Sequence, residues 1–170
     1  MLSFDIRSLE SKAEQVNGSL SPDDDVWEEG DARPAKPIGV SGRLSSANEG
    51  RFYFSGRLTG EVAMPCRRCL EDVAVEVDDE VHFIFAEKGA DEADDPDVYT
   101  YDPNARELDL RPAVRESWLL IAPAYAQCRE DCKGLCPSCG QNLNEGACDC
   151  APAKTDSRWD ALLSLKSDSR

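Results

Sequence analysis

With 170 residues, 34 acidic against 19 basic side chains and a formal charge of −15, the chain has the size of one ordinary domain plus an appendage and can bury a real core. That charge repels naked nucleic acid at long range, so RNA contact needs a locally basic face and a basic protein partner is easier on charge alone. No apolar run approaches the length of about 18 residues that a membrane helix requires.

The opening MLSFDIRSLESK has no charged stretch leading into an apolar run, so no signal peptide is expected and the setting is a reducing cytoplasm. Leu2, Phe4 and Ile6 alternate with polar residues as in a short half-buried strand. Leu9, Ala13 and Val16 then have helical spacing up to Asn17-Gly18, which predicts a helix that stops there. Residues 19–37 are rich in proline and acid and read as a loop, with Trp27 docking on the core.

From Ile38 the period changes to two. Ile38, Val40 and Leu44 share one phase. After the turn at residues 47–50, Phe52, Phe54, Leu58, Val62 and Met64 share another, so the pair is a hairpin with one face buried. Gly56 and Gly60 fall on the buried face and predict a bend or a close backbone approach. Val73, Val75, Val77, Val81, Phe83 and Phe85 run back in one phase, which places Cys66 and Cys69 at a hairpin tip. His82, the only histidine, lies on the polar face among carboxylates and is expected to be solvated. Residues 86–97 form an acidic loop, and Val98–Tyr101 an edge strand. Asp109 can cap a helix with Leu110, Ala113, Val114, Trp118 and Ile121 on its apolar side; Pro112 is tolerated in the first turn and Pro123 ends it. That helix is expected to pack across the sheet and deliver Cys128 near the Cys66 turn. Ser157 and Asp160 have capping-box spacing ahead of Leu162, Leu163 and Leu165, with Trp159 on the same short tail.

The cysteines carry the chemistry. Six of the eight lie within residues 128–150, and the other two are Cys66 and Cys69. Two CxxC pairs, one CxxxC and one CxC suit two four-thiolate sites, because a CxxC turn lets two sulfurs approach one ion from the same side. The favoured partition is Cys66, Cys69, Cys128 and Cys132 in site 1 and Cys136, Cys139, Cys148 and Cys150 in site 2. The rival joins the two CxxC turns and leaves Cys128, Cys132, Cys148 and Cys150 together. Zinc, the expected occupant on thiolates in a reducing cytosol, competes with iron, since rubredoxin-type sites also use CPxCG turns. Two such zinc sites would take the net charge to roughly −19.

No GxSxG, phosphate loop or HExxH is present, and an all-cysteine site leaves no open position for water or substrate. The expectation is therefore a scaffold without enzymatic chemistry. Arg67, Arg68, Arg129 and Lys133 lie beside the cysteines, either offsetting the thiolate charge or meeting RNA phosphates; Trp159 is a further partner-binding candidate. A rubredoxin-like electron-transfer or redox-sensing protein is the competing class.

PCRRCLEDV, LDLRPAVRESWLLIAP, CKGLCPSCGQNLN followed by CDC, and the closing DSRWDALLSLK resemble the YceD family of large ribosomal RNA subunit accumulation proteins, over most of residues 38–166. Ser157 stands where that family's tail usually has proline. The resemblance implies a non-enzymatic factor for large-subunit ribosomal RNA accumulation or processing and ribosome assembly, with precursor RNA or basic ribosomal proteins as partners.

The expected fold class is α+β: a curved antiparallel sheet, open or partly closed into a barrel, with a packing helix and a Cys-rich zinc-binding segment. The expected division is an N-terminal strand, helix and acidic loop (1–37), the sheet and helix core (38–127), the metal-binding segment (128–150), and a linker with a C-terminal helix (151–170).

Overall fold

A computed structural model describes residues 1–47 and 50–150. The expected C-terminal helix, Trp159 and the centre of the 47–50 turn lie outside the described residues. The elements are β1 (Ser3–Asp5), α1 (Ile6–Ser11), β2 (Glu14–Leu20), β3 (Ile38–Ser46), β4 (Phe52–Pro65), β5 (Asp72–Glu87), a 3₁₀ turn (Asp91–Asp94), β6 (Val98–Tyr101), β7 (Glu107–Asp109) and α2 (Arg111–Ile121). The α+β class holds broadly. The main sheet has five strands in the order β2-β3-β4-β5-β6, and β1 pairs with β7 separately. The two edge strands do not pair with each other, so the sheet is open rather than a barrel.

Alternation explains the long hairpin. Phe52, Phe54 and Leu58 are fully buried along β4, and Val77, Val81, Phe83 and Phe85 face the same side from β5, in a continuous register from Phe52↔Phe85 to Pro65↔Asp72. Gly42 and Gly56 are cross-strand partners, and a Cβ on Gly42 would lie 2.5 Å from Gly56 Cα. β3 and β4 therefore approach more closely at Gly42 and Gly56 than side chains would permit, the second of the two alternatives, a bend or a close backbone approach, that the glycines predict. Gly60 leaves room for Trp118: a Cβ there would lie 2.7 Å from Trp118 Cζ3. This is how α2 settles across the sheet.

Three local expectations are corrected. The helix expected through Val16 ends at Ser11, and residues 14–20 are a strand paired with β3. Val16 and Leu20 are fully buried there, and Asn17-Gly18 lies inside the strand, because sheet pairing overrides a weak helical spacing. β6 runs parallel to β5, so the sheet is mixed rather than wholly antiparallel. The residue preceding α2 is Leu110, although Asp109 Oδ1 still accepts the Arg111 N–H at 2.9 Å.

The loop after β2 is bound to α2. Trp27 is buried as expected, with its Nε1–H donating to Ser21 O at 2.7 Å. Arg115 forms a two-armed pair with Asp31 at 2.7 and 3.0 Å, and Trp118 Nε1–H donates to Ala32 O at 2.8 Å. His82 is exposed and stacked on Tyr53, whose hydroxyl lies 2.8 Å from Nδ1.

Candidate metal centres

The tip of the β4–β5 hairpin turns on Cys66-Arg67-Arg68-Cys69. Its backbone is closed by Leu70 N–H donating to Cys66 O at 2.9 Å and Cys66 N–H donating to Glu71 O at 2.8 Å. The later Cys136-Pro137-Ser138-Cys139 turn repeats both bonds, from Gly140 N–H to Cys136 O at 2.9 Å and from Cys136 N–H to Gln141 O at 2.8 Å. In each, the N–H two residues on points at the first sulfur: Arg68 to Cys66 Sγ at 3.5 Å, Ser138 to Cys136 Sγ at 3.4 Å. Both turns place the residue after the second cysteine in the left-handed region, Leu70 at φ 63° and Gly140 at φ 75°.

After α2 the chain returns to the first turn. Cys66 and Ala126 form a parallel bridge, and Arg67 N–H donates to Ala126 O at 2.8 Å. This brings Cys128 to the tip, as the sequence leads one to expect. Leu135 N–H then donates to Arg68 O at 3.0 Å from the other side. Gly134, at φ 75°, has room for no side chain there, since a Cβ would lie 2.9 Å from Arg68 O.

The eight sulfurs consequently fall into two groups, Cys66/Cys69/Cys128/Cys132 and Cys136/Cys139/Cys148/Cys150, with the ligand atoms of each within 4.8 Å of one another. The two CxxC turns do not share a group, unlike the rival partition. A tetrahedron with zinc–sulfur bonds of about 2.3 Å has sulfur–sulfur edges of about 3.8 Å; Cys66 and Cys132 are 3.9 Å apart, Cys69 and Cys128 3.7 Å. All eight thiols are free. Each group could therefore hold one metal ion, and site 1 is the more buried.

The surroundings lower the pKa of some of these thiols and raise that of others. Backbone N–H groups of Cys128, Cys69 and Arg68 lower Cys66 to about 6, and those of Cys139 and Ser138 lower Cys136 to about 6. Burial, together with neighbouring sulfurs, raises Cys128 to about 12. Four thiols this close cannot all ionise unless a cation neutralises them. Cys132 is lowered chiefly by Asn144, whose Nδ2–H donates to Cys132 Sγ at 3.4 Å. Asn142 Oδ1 in turn accepts from Asn144 Nδ2 at 2.8 Å, and Asn142 Nδ2 donates to Glu71 at 2.8 Å. These asparagines carry no spacing signal of their own; only their place between Cys139 and Cys148 could have suggested them.

Arg67, Arg68, Arg129 and Lys133 are exposed around site 1. Arg129 Nε lies 3.4 Å from Asp131, and the Arg67 guanidinium stands 4.6 Å over the Tyr125 ring.

A family profile described as "Large ribosomal RNA subunit accumulation protein YceD" matches residues 54–166, about two-thirds of the chain, including both sulfur groups. The chain belongs to the YceD family. Among proteins similar to this chain, the Arabidopsis thaliana chloroplastic "Large ribosomal RNA subunit accumulation protein YCED homolog 1" is 33% identical over 41% of this chain and 22% of its own length. The Bacillus subtilis protein YlbN is 29% identical over 66% of this chain and 64% of its own. A Mycobacterium tuberculosis protein, Rv2926c, is 33% identical over 59% and 49%. The matches thus span less than two thirds of each relative. No solved structure matches the chain. Among the described residues, no helix is long and apolar enough to cross a membrane.

Proposed function

We propose that this YceD chain is a non-enzymatic cytoplasmic factor that sustains the accumulation of large-subunit ribosomal RNA during ribosome assembly. In this view two zinc ions hold a docking surface rigid, one bound by Cys66, Cys69, Cys128 and Cys132, the other by Cys136, Cys139, Cys148 and Cys150. Zinc supplies cross-linking and charge neutralisation there. The chain's own residues position the sulfurs and present Arg67, Arg68, Arg129 and Lys133, with Trp159, to precursor RNA or basic ribosomal proteins. The division into segments 1–37, 38–127, 128–150 and 151–170 belongs to the same proposal, with the third segment carrying the surface.

The observation that carries it is the juncture of the hairpin tip with the segment after α2, where four sulfurs meet and exposed cations surround them. The family's description and the relative's name supply the ribosomal context. Gradient fractionation of cell extract tests it: the protein is expected with particles that precede the mature large subunit. Presence only at the top of the gradient refutes it.

A further inference from the structure

The site 1 tip holds features that phosphate contact alone does not use. Arg67 is braced beneath Tyr125 by its Nη2–H bond to Gln127 Oε1 at 3.0 Å and by its backbone bond to Ala126 O at 2.8 Å. Its guanidinium lies 4.6 Å from the ring centroid, while Tyr125 remains 62% exposed. The result is an aromatic ring backed by a fixed cation and open to solvent.

On the same tip, Leu70 is 63% exposed and left-handed, where the equivalent turn has Gly140. A non-glycine residue is disfavoured in that conformation, and burial of the side chain does not offset it. The turn itself imposes that conformation, as at Gly140; what is particular to this tip is that an apolar side chain stands there open to solvent.

The charges point the same way. Arg57, Arg111 and Arg115 are all paired with carboxylates on the body. Among the described residues, Arg67, Arg68 and Lys133 form no ion pair; Arg7, Lys88 and Arg106 form none either, but only the first three stand together beside an exposed ring.

We propose that this tip binds single-stranded RNA, with one unstacked base on the Tyr125 ring, an adjoining apolar contact on Leu70, and phosphates at Arg68 and Lys133. The proposal rests on the RNA arm of the function above and specifies the form of RNA. A duplex offers no open base face to such a ring, and the acidic body confines contact to a few nucleotides. An acidic peptide would engage the cations but leave the stacking face idle.

The test uses the zinc-loaded full chain and a labelled, unstructured oligoribonucleotide of about 12 nucleotides, followed by anisotropy at low salt. Saturable binding is expected, falling with salt at a logarithmic slope of about −1 to −1.5, as phosphate contacts at Arg68 and Lys133 require. Tyr125→Ala is expected to weaken binding by about 5-fold or more, and Tyr125→Phe by less than about twofold, since the ring face is what stacks. Leu70→Gly is expected to weaken binding without lowering Tm. Undiminished binding by Tyr125→Ala, with weakening by Arg67→Ala/Arg68→Ala, would overturn the stacking platform and leave electrostatic docking standing. Binding of poly-glutamate in place of the oligoribonucleotide would overturn the RNA assignment, while particle association in gradients judges the ribosomal role separately.

Discussion

Asn144 Nδ2 donates to Cys132 Sγ at 3.4 Å, so a residue of the ribbon closed by the second sulfur group completes the surroundings of the first. Lys133 N–H donates to Asn144 Oδ1 at 2.8 Å and Leu143 N–H to Gly134 O at 2.9 Å, which fix the amide in place. Loss of such an outer hydrogen bond typically weakens metal binding about 10–100-fold. Asn144→Ala is expected to lower the affinity of site 1 by that amount and leave site 2 unchanged, as measured by chelator competition with cysteine alkylation to assign the sites. Equal affinities in variant and wild type would exclude the coupling.

The two cysteine turns differ in what stands at their left-handed position. A Cβ on Gly140 meets nothing within 4 Å, so Gly140→Ala tests backbone strain alone and is expected to cost about 1–2 kcal/mol. Leu70→Gly removes comparable strain, offset in part by the greater entropy of glycine in the unfolded chain, and is expected to leave Tm unchanged or raised. Thermal unfolding of the two variants measures the contrast.

Gly60→Ala has a different cause. Its Cβ would meet Trp118 at 2.7 Å, and Trp118 is fully buried, so α2 must shift away from β4. Overpacking of this kind costs about 1–3 kcal/mol, to be read as a lower urea midpoint at unchanged slope.

Asp31 is held below the ordinary carboxylate range by the Arg115 hydrogen bonds first and by the Glu28 backbone N–H second. A carboxyl with a depressed folded pKa contributes stability that is complete above its unfolded value near 4 and is lost as pH falls through the folded value. The Tm difference between wild type and Asp31→Asn is therefore expected to be constant at neutral pH and to shrink as pH drops below about 4. Using the difference cancels metal loss common to both proteins. A difference independent of pH would show that the pair contributes nothing through charge.

Chelation is expected to act locally. Val16, Ile38, Phe52, Phe54 and Trp118 form a core separate from the cluster of Cys66, Cys69 and Cys132. Metal removal should therefore raise hydrogen exchange at residues 66–70 and 126–150 while β3 to β5 stay protected. Structural zinc is worth on the order of 10 kcal/mol per site in small peptides, enough to hold a segment with so little core of its own. Purified protein is expected to be colourless with two zinc ions; a visible iron band would favour the electron-transfer alternative.

The long hairpin, α2 and the turn at Cys66 are legible in the sequence because their signals are local. A period of two from Phe52 to Met64 and from Val73 to Phe85 leaves one face to bury, and a CxxC turn announces itself by spacing. What the chain alone cannot announce depends on pairing between distant segments. Val16 joins a strand because β3 lies beside it, β6 is parallel because of where the chain returns, and the sheet stays open because its edge strands do not meet. Likewise the spacing favours one sulfur partition without fixing it; the bridge between Cys66 and Ala126 brings that turn to the segment after α2, where its sulfurs lie with those of Cys128 and Cys132. Asn144, Leu70 and the Arg67–Tyr125 stack acquire meaning only then, since residue types common in any loop become part of a site through the few ångströms that tertiary contacts give them.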